Sequence, residues 1–260
     1  MFWKKKENNQ QLIQIDILPK RDTKIIALAG NPNTGKSTIF NRLTGLKQHT
    51  GNWPGKTVTR AEGTFEIQDE EYTLIDLPGT YSLLSTSEDE EIARDFILFG
   101  NPDATVIVCD ASVLERNLNL AFQIMQITNR CILCVNLIDE AKRKGIEIDK
   151  ETLERELGIP VVLTNARSGE GIEELKEIIY QISNRIIKPT PRKIQHKKEI
   201  QEKLNQLVPL IEKAFPGLYA SEWIALRLLE GDTKIRKAIE QGNLLELINK
   251  GLSNGNGELK

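Results

Sequence analysis

Cysteine is scarce: three residues in 260. The count is odd and too low for a disulfide framework, and a reducing cytosol is the compartment it fits. Long apolar runs are missing too. No window approaches the roughly 18 consecutive apolar residues of a membrane span. The opening Met1-Phe2-Trp3-Lys4-Lys5-Lys6 turns polar too early for a signal peptide. Neither sign of charge dominates. The 35 Lys and Arg face 37 Asp and Glu, a formal net charge of −2. This excludes a protein dedicated to coating DNA or RNA and leaves room only for a local basic patch. What remains is ordinary for a folded chain, 39% hydrophobic and 28% charged. The length suits one large domain, or one domain plus a smaller one, with a sizeable core.

From Lys24 onward short apolar runs alternate with helical patterns. Residues 25–29, 104–109, 131–135 and 161–163 read as buried strands. Residues 64–68 and 72–75 flank Asp69-Glu70-Glu71 and predict a hairpin. Helical patterns cover 37–43, 88–99, 114–128, 149–157 and 170–186. The alternation implies βαβ units, hence an α/β fold with a mostly parallel sheet flanked by helices. Residues 1–22 read as an arm with one edge strand, and 23–187 as the α/β domain. Residues 188–193, Lys-Pro-Thr-Pro-Arg-Lys, form a stiff polar linker. Residues 194–253 predict a small all-α module. Its first helix carries Ile200, Leu204, Leu207, Val208 and Ile211, and Pro209 should kink or end it. A second helix contains Trp223 and is closed by Gly231, and short ones follow at 233–241 and 243–250. Residues 254–260 read as a flexible tail.

The chemistry lies in four turns. Gly30-Asn31-Pro32-Asn33-Thr34-Gly35-Lys36-Ser37 matches G-x-x-x-x-G-K-[ST] between a predicted strand and a predicted helix, the context this motif requires. Residues Asn31, Pro32, Asn33, Thr34, Gly35, Lys36, Ser37 and Thr38 are the candidate phosphate cradle. Backbone N–H groups curl around phosphate oxygens there, and the helix N-terminus adds positive dipole. Lys36 brings a point charge to the β and γ phosphates, and the Ser37 hydroxyl is placed for Mg²⁺. Asp76-Leu77-Pro78-Gly79 matches the D-x-x-G of GTPases. Asp76 can reach the metal, and the Gly79 N–H can sense the γ-phosphate. Asn136-Leu137-Ile138-Asp139 departs from N-K-x-D only in Leu137. Its carboxylate would accept from guanine N1 and N2, and the competing reading of Asp139 is a plain helix N-cap. Thr164-Asn165-Ala166-Arg167 stands where S-A-K is usual, so Asn165, Ala166 and Arg167 would cover the base through backbone groups. Between the first two turns, residues 51–58 form a glycine-containing segment suited to a phosphate-dependent switch. Thr57 is its candidate for Mg²⁺ and γ-phosphate, with Thr50 and Thr59 as alternatives, and Gly55 joins the nucleotide contacts.

Together these motifs resemble the translation-factor-type GTPases. G-N-P-N-x-G-K-S, N-W-P-G-x-T-V, D-L-P-G-T-Y-S-L and N-L-I-D narrow the resemblance to the N-terminal cytosolic region of the ferrous iron transport protein B (FeoB) family. Residues 223–232, Trp-Ile-Ala-Leu-Arg-Leu-Leu-Glu-Gly-Asp, are similar to that family's helical module. The resemblance covers about residues 24–250. It implies a Ras-like P-loop G domain that hydrolyses GTP, with Ser37, Thr57 and Asp76 around Mg²⁺. It also implies K⁺ near Asn33, with Gly51 and Trp53 carbonyls completing that site. Lys56 stands where a small apolar residue is expected, and its ammonium could compete with that cation. Lys36, Asn33, Thr57 and Gly79 are the implied catalytic set.

Thr80 occupies the position of the water-orienting Gln of Ras-type enzymes, so the resemblance implies slow intrinsic turnover. The implied partners are GTP and GDP, a membrane permease domain absent from this chain, small accessory Feo proteins and a second copy of the chain, with no nucleic acid. The implied place is the cytoplasmic face of the bacterial inner membrane. The chain is then an excised fragment or a stand-alone relative. Two other readings stay open: a ribosome-assembly or RNA-modifying GTPase, and a GTP-sensing module that does not hydrolyse.

Other features read as structural. Cys131 and Cys134 lie three apart on an apolar strand and face opposite ways, so they cannot share a metal. Residues 88–91, Glu-Asp-Glu-Glu, suit a helix N-terminus better than an iron-attracting patch. His49 reads as a solvent-facing loop residue.

Overall fold

The computed structural model describes residues 23–46, 48–53, 56–84, 87–215, 218 and 220–240. The expected arm at 1–22, the helix at 243–250, the tail and Gly55 lie outside the described residues. The described elements run β1 (Lys24–Gly30), α1 (Lys36–Thr44), β2 (Gln48–Asn52), β3 (Thr59–Ile67), β4 (Glu70–Asp76), α2 (Glu88–Phe99), β5 (Ala104–Asp110) and α3 (Leu114–Ile127). They continue with β6 (Cys131–Asn136), α4 (Ile138–Arg143), α5 (Lys150–Leu157), β7 (Val161–Leu163), α6 (Ile172–Ser183), α7 (Lys198–Ala214), α8 (Ser221–Leu229) and α9 (Thr233–Glu240).

The strands form one sheet in the order β2-β3-β4-β1-β5-β6-β7. Five of them, β4-β1-β5-β6-β7, pair in parallel. The two at the other edge are antiparallel. The expected hairpin is present, turning through Gln68 and Asp69 with φ of 49° and 63°. Two positive φ values in a two-residue loop match the twist of the flanking strands.

Alternate residues of each strand feed opposite faces. Ile25, Ala27, Ile75, Ile107 and Leu133 pack with α2 and α3 through Ile97, Leu120 and Ile124. Ile26, Leu28, Leu74, Val106 and Ile132 pack with α1 and α6 through Ile39, Phe40, Leu175 and Ile179. Each such fully buried aliphatic side chain contributes about 2 kcal/mol. Leu204, Ile211, Trp223, Ile224 and Ile235 of α7–α9 join the first face, so the helices after the linker share its core.

Three expectations need correction. β2 is a strand where the sequence predicts a loop residue at His49 and a switch segment from Gly51; Gln-His-Thr-Gly-Asn carries no apolar alternation, and its form comes from pairing with β3. α4 is a helix of six residues, too short for its period to show. Of the two outcomes expected at Pro209, a kink or an end, the end is excluded: α7 runs through Pro209 to Ala214. Proline removes one bond, that to the Asn205 carbonyl, while buried Leu204 and Ile211 hold both sides.

Cys131 belongs to one core face and Cys134 to the other. Burial pushes both thiols up to about 12 and raises that of Cys109 as well. Iodoacetamide at about pH 8 is therefore expected to label none of the three in the native chain and all three after unfolding in denaturant. Labelling of native Cys131 or Cys134 would contradict this packing.

Candidate functional site

The carboxyl ends of β1, β4, β6 and β7 open on one edge of the sheet, where open α/β folds place their ligands. β1 ends at Gly30, and the next five residues turn directly into α1. The turn is tight: Asn33 and Gly35 have φ of 65° and 79°. A Cβ on Gly35 would lie 2.3 Å from the Asn136 amide nitrogen, and one on Gly30 would lie 2.6 Å from the Val108 carbonyl oxygen. Only glycine fits either place. The Asn31 carbonyl accepts from the Thr34 hydroxyl at 2.9 Å. Asn31 Oδ1 is buried and has no hydrogen-bond partner. Asn33, Ser37 and Thr38 are exposed, while Pro32 and Gly35 are half-buried.

Lys36 opens α1. Its ammonium pairs with the Asp76 carboxylate and donates to the Leu77 carbonyl at 2.7 Å. Burial raises the Asp76 carboxyl above the ordinary carboxylate range, and the Lys36 charge draws it partly back. The turn after Asp76 lies on the phosphate loop. A Cβ added to Gly79 would come within 3.5 Å of Pro32, and the Thr80 N–H donates to the Gly30 carbonyl at 3.3 Å. Thr80 is only 4% exposed, so its side chain is sealed inside the turn.

Asn136 knits three turns together. Its amide N–H donates to the Thr34 carbonyl at 3.0 Å. Its Oδ1 accepts from the Thr164 hydroxyl and the Ala166 N–H, each at 3.1 Å. Leu137, with φ of 63°, starts α4 without a side-chain cap. Asp139 lies inside the first turn of α4, so the N-cap reading fails. Its half-exposed carboxylate is 3.5 Å from Arg143. Asn165 bonds within its own turn, N–H to the Glu170 carbonyl at 3.1 Å. The Ala166 and Arg167 carbonyls accept from Arg42 of α1. Arg42 and Thr164 are absent from the sequence-predicted set. The only local signal of Arg42 is a basic side chain in a last helical turn.

The described residues of the segment 51–58, which are 51–53 and 56–58, are not gathered with the other turns. Gly51 pairs with Arg60 in the outermost strand, and three strand spacings, about 14 Å, separate β2 from β1. Trp53 is 4% exposed, edge-on to Phe96 at 5.5 Å, and its carbonyl accepts from the Lys56 N–H at 2.9 Å. The Thr57 hydroxyl lies 3.4 Å from Glu88. The Lys56 ammonium sits between Glu88 and Glu91, at 3.4 and 3.6 Å. Lys234 of α9 pairs with the same Glu91. Among the described residues no group of three or more His, Cys, Asp and Glu side chains could hold a metal, and no helix is long and apolar enough to cross a membrane.

The order of these turns along the sheet edge is that of the P-loop GTPases, with helices following the last of them. Within that class the match is specific. Residues 24–179 fit the family model described as ferrous iron transport protein B, and 196–258 fit the FeoB cytosolic helical domain. The chain belongs to the ferrous iron transport protein B family. It is 40% identical over 213 residues to the Fe(2+) transporter FeoB of Escherichia coli (strain K12), covering 80% of this chain and 27% of that protein. The chain thus spans about a quarter of the length of such relatives. The cytosolic domain of T. maritima FeoB in GDP form I is similar at a TM-score of 0.76 and 34% identity, over 90% of this chain and 95% of that one. A mutant S. thermophilus NFeoB bound to GDP is similar at 0.76 and 28%, over 90% and 89%.

Proposed function

We propose that this chain binds GTP and hydrolyses it to GDP and phosphate, as the cytosolic regulatory domain of a ferrous-iron transporter at the inner membrane. The observation that carries this reading is the pair between Lys36 at the start of α1 and Asp76 at the end of β4, set against a loop in which only glycine fits at two positions. Mg²⁺ suits the donor set of Ser37, Asp76 and Thr57, all hard oxygens, and when bound it offsets charge on the β and γ phosphates. The residues do the rest. Residues 31–38 cradle the phosphates, Lys36 adds positive charge where negative charge develops, and Gly79 offers its N–H to the γ-phosphate. Asp139 selects guanine, and Asn165, Ala166 and Arg167 cover the base. Asn33 is the side chain suited to hold K⁺, and its exposed, left-handed turn leaves the amide free to do so.

Thr57 serves this site when Lys56 and Thr57 leave Glu88. That movement withdraws Lys56 from Glu91, the carboxylate it shares with Lys234 of α9. The nucleotide state would thereby reach the helices that follow the linker and, through them, the permease.

Hydrolysis in KCl and in NaCl at matched ionic strength tests the reading. Clear K⁺ stimulation is expected, with turnover staying below about 10 s⁻¹ because Thr80 is buried and stands where Ras-type enzymes carry a water-orienting Gln. Asn33→Ala should abolish the stimulation. Equal rates in both salts, or an unchanged response in the variant, would remove the cation from the mechanism.

A further inference from the structure

We propose that Arg42 is a positioning residue whose fork of donors holds the base-covering loop and sets how long guanine nucleotide stays bound. The inference rests on the GTP-binding reading above. Arg42 lies in the last turn of α1, the helix that begins at the phosphate loop. Its Nε donates to the Ala166 carbonyl at 2.8 Å and its terminal nitrogen to the next carbonyl, that of Arg167. On its other side Ala166 gives its N–H to Asn136 at 3.1 Å. Ala166 is therefore held through both of its backbone polar groups by two side chains from different elements. The rest of the loop is tied mainly to itself: the Asn165 carbonyl accepts from Gly169 at 2.9 Å and from the Ser168 hydroxyl at 3.1 Å. This leaves a stiff tip whose placement over the base depends on its stem and on Arg42.

A planar guanidinium reaches two successive carbonyls from separate nitrogens, whereas the shorter lysine must serve both from one, as Lys193 does for Met125 and Gln126. The plain alternative is that Arg42 only complements the dipole at the end of α1. Lysine would serve that purpose equally well, so the two roles separate. Arg42 is exposed, and replacing it opens no core.

The test is release of a fluorescent GDP analogue from the loaded chain after a chase with excess GDP. Arg42→Ala is expected to speed release about five- to tenfold, the scale of one ordinary net hydrogen bond, because Arg42 is exposed, and Arg42→Lys by a smaller but clear factor. The melting temperature and the single-turnover rate of prebound GTP should stay at wild-type values. Release from Arg42→Lys at the wild-type rate would show that charge alone suffices and would overturn the proposal, as would unchanged release from Arg42→Ala. A wild-type chain that gives no binding signal before the chase would overturn the underlying reading as well.

Discussion

Lys36→Ala is expected to lower GTP hydrolysis about 10³-fold, the upper scale for removing one preorganised donor from a charged transition state. The ammonium sits at the mouth of the phosphate loop with a side chain 11% exposed, against a half-buried carboxylate and the Leu77 carbonyl. A charge with so little water around it acts through a low local dielectric, which strengthens its hold on phosphate oxygens. In this structure no other described cation stands beside Asp76: Arg42 is bonded to the base-side loop and Lys56 to α2. The change also leaves Asp76 without its partner. That costs about 2 kcal/mol of stability, less than for a fully buried pair because both side chains keep some solvent contact. Circular dichroism and phosphate release measured together separate the two effects. A folded variant that hydrolyses GTP within tenfold of wild type would remove Lys36 from the mechanism.

Most of the sheet is legible in the sequence for a physical reason. β1, β5 and β6 are covered on both faces and must be apolar along their length, as Ile-Ile-Ala-Leu-Ala and Cys-Ile-Leu-Cys-Val are. β2 is not legible, because an exposed edge strand of polar residues is fixed by its partner rather than by its composition. The continuation of α7 past Pro209 is hidden likewise. Propensity argues for a break, and the core beneath the helix decides otherwise.

The site divides the same way. Contiguous turns are readable because phosphate binding needs glycine and a lysine at fixed spacing. Pairings across the chain are not: Lys36 with Asp76 is 40 residues apart, and Arg42 with Ala166 is 124 apart. Nothing local in the sequence distinguishes Arg42 from any helix-ending cation. Lys56 shows a different limit. The family resemblance implies competition with a cation near the phosphates, yet four acidic residues in the first turn of α2 offer a nearer anion. The structure pairs Lys56 with two of them.

Asp139→Asn is expected to change which base the chain prefers. A carboxylate presents two acceptors side by side, matching guanine N1–H and the 2-amino group. An amide presents one acceptor and one donor, which matches N1–H and the 2-oxo group of xanthine. GDP should bind about 10²-fold more weakly and XDP at least about tenfold more tightly, since a site built for a donor rejects a ligand that cannot supply it. Asp139 is well placed for this test. Its carboxylate caps no helix, and its one described ion pair is to Arg143, at 3.5 Å with a 70%-exposed partner. Such an exposed pair is worth well under about 1 kcal/mol, so the substitution removes little besides the base contact. If Asp139 served only the first turn of α4, the variant would lose a few tenths of a kcal/mol of stability and keep its preference for GDP. Competition between GDP and XDP for the same fluorescent analogue distinguishes the two. A preference for GDP equal to that of wild type would mean that guanine is read elsewhere, leaving the backbone of residues 165–167 to account for it.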